Sequence, residues 1–173
     1  MTSRRPPKRD PVDVIISQWE REMPDMDVSA LAVFGRLHRC YARYADLLGE
    51  IFDKHGINMA SFDVLAALRR SGPPYRRTAG ELAGIGLITT GGLTLRLDRL
   101  EQAGLVIRER DSDDRRVVYA EMTEAGLELT NRVAREHFAN ELHMLSGLSK
   151  SERAQLADLL AKLERSLLNA EHE

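Results

Sequence analysis

The sequence predicts a mainly α-helical fold carrying one small β-hairpin. Three observations predict it. Apolar residues recur every three or four positions over most of the 173-residue chain. Most helical segments open on capping signals, and those before residue 105 close on Gly or Pro. Only between residues 105 and 122 does the apolar period fall to two. Aromatic residues are 5% of the chain, too few for an all-β sandwich.

Residues 1–9 form a basic, Pro-containing tail expected to be disordered. Asp10 is an N-cap ahead of Pro11 at the first helical position, and Val12, Ile15, Ile16 and Trp19 share one face of a short helix in residues 10–24, which Pro24 ends. A helix this short is marginal in water and must dock on something. From Asp27 a long helix runs to about His55, with Leu37, Tyr41, Tyr44, Leu48 and Ile51 as its stripe and Gly56 as its stop. Asn58 caps the next helix, which carries Phe62, Leu65, Ala66 and Leu68 and ends at Ser71-Gly72-Pro73-Pro74. Thr78 to Glu81 is a capping box for a short helix with Leu82, Ala83 and Ile85. After a turn at Gly86, a further helix begins near Thr89, carries Leu93, Leu97 and Leu100, and stops at Gly104.

The period then changes. Leu105, Ile107 and Glu109 alternate with Val106, Arg108 and Arg110, a charged tip follows, and residues 117–122 complete a two-stranded hairpin. Thr123 caps a long helix to about Leu145, and the Ser149–Glu152 capping box opens a last one. Its stripe of Leu156, Leu159, Leu160, Leu163 and Leu167 is too apolar for a free surface helix and calls for a partner.

Composition excludes several classes. The net charge of −2 announces no nucleic-acid partner in bulk, but residues 76–116 hold eight basic side chains, all arginine. Residues 117–173 hold 6 basic and 10 acidic ones, so an anion-binding surface is expected before residue 117. Arginine is the side chain suited to phosphates and planar anions. One cysteine excludes a disulfide framework and a Cys-based zinc site. No apolar run approaches the ~18 residues of a membrane span, and the first residues lack the apolar stretch of a secretion signal. The expectation is a soluble, cytoplasmic protein.

Helix, tight turn, helix and two-stranded hairpin make the winged helix-turn-helix plan, in which the second helix can enter the DNA major groove. Thr89, Thr90, Gly91 and Gly92 would offer hydroxyls and bare amides at that helix's N-terminus, where the dipole favours phosphate. Thr94 and Arg99 lie off the apolar stripe and could reach bases or phosphates. Thr78 joins this candidate DNA-contacting set. The competing reading is a small helical domain with an incidental hairpin.

The run Leu93-Thr94-Leu95-Arg96-Leu97-Asp98-Arg99-Leu100-Glu101-Gln102-Ala103-Gly104-Leu105-Val106, then Asp113-Asp114-Arg115-Arg116 and Met122-Thr123-Glu124-Ala125-Gly126, strongly resembles the MarR family of bacterial transcription regulators, over residues 30–168. The resemblance implies a homodimer built from residues 27–55 and 123–170, a winged helix-turn-helix domain at 58–122, and two half-sites of a palindromic operator about one DNA turn apart. In the wing it implies that Asp114 braces the loop while Arg116, beside Arg115, reaches DNA. Repression of a neighbouring, divergently read transport gene is the family habit.

A narrower resemblance is to the PecS-like, urate-responsive branch. That branch has an extra N-terminal helix with a Trp (here Trp19), an Asp in a Phe-Asp-x-Leu helix (Asp63), an Arg in the recognition helix (Arg96) and an Arg at the wing's base (Arg108). The resemblance implies that these four bind urate and couple it to release from DNA. The residues themselves agree in part. Arg96 lies three residues after Leu93 and four before Leu100, on the inward face, where a cation is costly unless paired. Asp63 is equally out of place beside an apolar stripe. One reading is an Asp63–Arg96 ion pair that fixes the recognition helix; the other adds a planar anion between Arg96 and Arg108, closed by Trp19, whose guanidinium forks suit urate's acceptors. Other aromatic or carboxylic anions fit the same chemistry.

The recognition-helix glycines Gly91 and Gly92 depart from the small polar residues usual in the family, and each costs ~1 kcal/mol of helix propensity against Ala. Cys40 on the long helix opens an alternative, an oxidant sensor, although a lone Cys among apolar neighbours is more often an inert core thiol. His38 is read as a packing or surface residue. His137 and Glu141 have i, i+4 metal spacing but no third ligand, since His143 faces elsewhere. No metal, no cofactor and no catalytic residues are expected, and the chain is not read as an enzyme: it has no nucleophile–base pair and no phosphate loop.

Overall fold

The Asp10-Pro11 start behaves as its residues require in a computed structural model that describes residues 9–84, 92–112, 114 and 117–170. Asp10 Oδ1 accepts from the backbone of Val12 and Asp13, and Asp13 answers by accepting from the Asp10 amide, a full capping box for helix α1 (Pro11–Glu22). Long helix α2 (Leu31–Lys54) receives it. The guanidinium of Arg36 donates to Asp10 at 2.9 Å and to Asp13 at 2.6 Å. A Cβ on Gly35 would lie 3.0 Å from a methyl of Val12, so the small residue lets the two helices close on a buried valine. The dependence of the short helix on docking is thereby met within the first of two compact units, Met1–Glu50 and Ile51–Glu173.

The second unit holds the winged helix-turn-helix. Asn58 caps α3 (Met59–Arg70) by accepting from the Ser61 amide at 2.8 Å. Strand β1 (Arg76–Thr78) precedes α4 (Ala79–Gly84), α5 (Leu93–Gln102) follows, and β2 (Val106–Arg110) and β3 (Val118–Met122) form the wing. The sheet has three antiparallel strands in the order β1-β3-β2, where two were expected. Strand β1 carries no alternation to announce it: its residues, Arg76, Arg77 and Thr78, are all half-buried and pair with Glu121, Ala120 and Tyr119.

One core serves these elements. Val64, Leu65 and Leu68 of α3, Leu82 of α4, Leu93, Leu97 and Leu100 of α5, and Val106, Ala120 and Met122 of the sheet close around it. Helix α5 ends in a Schellman turn: Gly104 takes φ +70, its amide donates to Glu101, and the Leu105 amide donates to Leu100. The next helix, α6 (Glu124–Met144), is capped by Thr123 and packed so tightly on that turn that a Cβ at Gly126 would collide with the Leu105 carbonyl oxygen. A 3-10 turn (Leu145–Gly147) leads to α7 (Lys150–Ala170), opened by the Ser149–Glu152 capping box and containing no buried residue. No helix among the described residues is long and apolar enough to cross a membrane.

Candidate nucleic-acid interface and effector site

Helix α5 organises the site. It begins at Leu93, after an N-cap Gly92 at φ +84 that makes no side-chain cap. Gly92 therefore stands outside the helix in the left-handed conformation glycine tolerates, rather than weakening the helix from within as the sequence reading had it. Thr89, Thr90 and Gly91 lie outside the described residues. Leu93, Leu97 and Leu100 face the core, while Thr94, Leu95, Arg99 and Gln102 are exposed. Thr94 and Arg99 thus sit on the outward arc, as their spacing requires. The Thr78 hydroxyl is engaged locally: it caps Glu81 at 3.1 Å and donates back to its carboxylate, whose pKa is lowered chiefly by the bond from the Thr78 amide.

At the wing tip, Asp111 Oδ1 accepts from the Asp114 amide at 2.9 Å, and the Asp114 carbonyl accepts from Val117. Asp111 is a brace the sequence reading missed; an Asp three residues before a turn amide is the signal that could have found it. Arg115 and Arg116 lie outside the described residues.

The four candidate effector residues divide. Asp63 and Arg96, both half-buried, come together across α3 and α5. Burial raises the Asp63 pKa, and Arg96, then Arg70 and His137, act against that rise. No direct ion pair joins Asp63 and Arg96 among the described residues, so the closed pair considered from sequence is present only as a field between separated charges.

Arg108 does something else. It lies opposite Ala120 on the inner face of the sheet, which aims its side chain at α5. There its Nη1 meets Asp98 at 2.7 Å and its Nε meets Glu101 at 2.9 Å, with Nη2 also on Glu101. The hydrogen bond to Glu101 is the main reason the Arg108 pKa rises and that of Glu101 falls. At about 100° per residue, Arg96 lies about 60° to one side of Leu93, whereas Glu101 and Asp98 lie about 80° and 140° to the other. Arg96 therefore projects from one flank of α5, and Arg108 of β2 clasps the other. Asp98 and Glu101 were not singled out from sequence; their i, i+3 spacing opposite an inward strand arginine was the available signal.

Trp19 belongs to the first unit. It is 42% exposed and lines an apolar groove of about 340 Å³ with Met26, Val28, Leu31 and Phe34. A larger hollow of about 560 Å³ in the second unit is lined by Asp53, His55, Asn58, Ser61, Arg99 and Leu100 among others, and by none of the four effector candidates. Cys40, read as an inert core thiol, is exposed on α2, a position its apolar sequence neighbours did not reveal. His137 is buried against Phe52 and Phe62, with Nε2 3.4 Å from Glu141. Among the described residues no three His, Cys, Asp or Glu side chains cluster to hold a metal.

Comparison with known proteins gives this geometry a context. Residues 55–117 match a model described as MarR family. The chain is 40% identical over 158 residues to the HTH-type transcriptional regulator PecS of Dickeya dadantii, covering 91% of this chain and 95% of that one. It is 33% identical to the HTH-type transcriptional regulator MhqR of Bacillus subtilis, covering 80% and 93%. Among solved structures, a MarR mutant from E. coli complexed with operator DNA superposes with a TM-score of 0.65 at 29% identity, covering 80% of this chain and 99% of that one.

Proposed function

This chain belongs to the MarR family of DNA-binding transcription regulators, in its PecS-like branch, and on that premise we propose that it is a homodimeric repressor released from a palindromic operator by a small planar anion, best matched by urate. The observation that carries the effector reading is the separated Asp63–Arg96 pair. The half-buried Asp63 carboxylate feels the charge of the half-buried Arg96 guanidinium with no ion pair between them, which leaves the guanidinium for an anion that would shift the recognition helix. Urate is flat, anionic near neutral pH and rich in acceptors, which suits a guanidinium fork. Trp19 is the fourth residue of the proposed effector set, and Arg108 is recruited from its carboxylates. In the DNA-bound form, Thr94 and Arg99 address the major groove, Thr78 and Thr89 to Gly92 meet phosphates, and the wing lays Arg115 and Arg116 alongside, braced by Asp114.

The effector must prefer the released pose by the free energy it removes from DNA binding; a tenfold loss of operator affinity needs ~1.4 kcal/mol. Titrating urate into the protein–operator complex tests this. Wild type is expected to release DNA below millimolar urate and Arg96→Ala to respond weakly. An Arg96→Ala variant as responsive as wild type would remove the effector reading while leaving DNA binding in place.

The exposure of Cys40 favours a second reading, release by oxidation. Peroxide should then weaken operator binding by wild type and not by Cys40→Ser.

A further inference from the structure

The recognition helix carries two carboxylates, Asp98 and Glu101, that a DNA-facing surface ought not to have. Asp98 is one helical turn beyond Thr94, half-buried at the edge of the outward arc, and Glu101 is the next residue along that flank. Each side chain is 38% exposed. Bare, they would stand within a Debye length of the phosphates and repel them. Both are instead held by one guanidinium from another element, Arg108, at 2.7 Å and 2.9 Å.

We propose that Arg108 is a charge mask: it hides Asp98 and Glu101 so that α5 can approach DNA, and drawing Arg108 away bares two negative charges on the reading helix and expels the operator. Asp98 and Glu101 are then positioning residues that act through Arg108 and through their own repulsion. The arrangement explains why an arginine on the flank of α5 opposite Arg96 can matter to release. A guanidinium cannot serve both the carboxylates and an effector on the far flank, so its transfer turns ligand binding into a change of charge at the DNA surface. This last step rests on the effector reading above; the masking itself does not.

A charge cycle read by operator affinity tests it. Arg108→Gln is expected to weaken operator binding about tenfold or more at low salt. Adding Asp98→Asn and Glu101→Gln to it removes the charges it bares, and the triple variant is expected to recover to within roughly threefold of wild type. A triple variant as weak as Arg108→Gln alone would overturn the proposal, because the guanidinium would then be touching DNA or propping the wing. If the glutamine variant does not fold, Arg108→Lys, which keeps the charge without the fork, takes its place with a smaller loss and the same rescue.

The effector arm uses the Asp98→Asn/Glu101→Gln pair. The ratio of operator Kd with and without saturating urate should fall toward one, while emission from Trp19, the chain's single tryptophan, still reports urate binding. Release as strong as in wild type overturns the masking step. Wild type that shows neither an emission change nor release overturns the effector reading alone, and the charge cycle still decides the mask.

Discussion

The winged-helix core and helix α7 treat the same residue type in opposite ways. Leu65, Leu68 and Leu82 are fully buried within the chain, whereas Leu156, Leu159, Leu160 and Leu167 of α7 are 42 to 63% exposed. The first region completes its burial with its own strands and helices. The second presents an apolar stripe that nothing among the described residues buries, and a second copy joined about a two-fold axis is the occupant the family reading supplies. On that reading the stability of the first region is independent of protein concentration, and that of the second is not.

Leu65→Ala should show the largest effect, a loss of about 3–4 kcal/mol in chemical denaturation that does not change with protein concentration. Leu159→Ala should cost about 2 kcal/mol, seen as weaker self-association in sedimentation. A loss independent of concentration, or no loss, would break the contrast. Thr123→Ala removes a cap that accepts from the Gly126 amide at 3.0 Å and donates to the Gly104 carbonyl at 2.8 Å, and should cost about 1 kcal/mol.

Asp63→Asn sharpens the comparison from within the core. Burial raises the Asp63 pKa, so the folded state holds that proton more tightly than the unfolded one and the charged form costs stability. That cost is full above the folded pKa and fades as pH falls toward the ordinary value of 3.8. The variant should melt slightly higher than wild type at neutral pH, with the gain shrinking in acid. A lower melting temperature at neutral pH would mean that the attraction of Arg96 outweighs burial.

Most of the fold was legible because it rests on local rules. The caps at Asp10, Asn58, Thr78, Thr123 and Ser149 each satisfy backbone donors within three residues, and all form as read. Strand β1 was not legible, since three residues without alternation become a strand only when β3 offers its edge. The placement of the charged side chains around α5 was legible by halves. The inward place of Arg96 follows from its spacing to Leu93 and Leu100, and its neighbour Asp63 was named. The destination of Arg108 was not, because strand alternation gives a face and says nothing of which helix flank that face will meet.

By itself the sequence determined which helices form and how most of them are capped, the leucines that fill the winged-helix core and that the wing follows the reading helix, because those outcomes depend on neighbours a few positions away; it began α2 at Asp27 and α5 near Thr89, where the helices start at Leu31 and Leu93. Only the tertiary structure decided that two arginines twelve residues apart act on opposite flanks of α5, one in the field of Asp63 and the other clasped by Asp98 and Glu101. Partner choice for a charged side chain is settled by which carboxylate the packed backbone brings within about 3 Å, and that distance is a property of the assembled elements, not of any one of them.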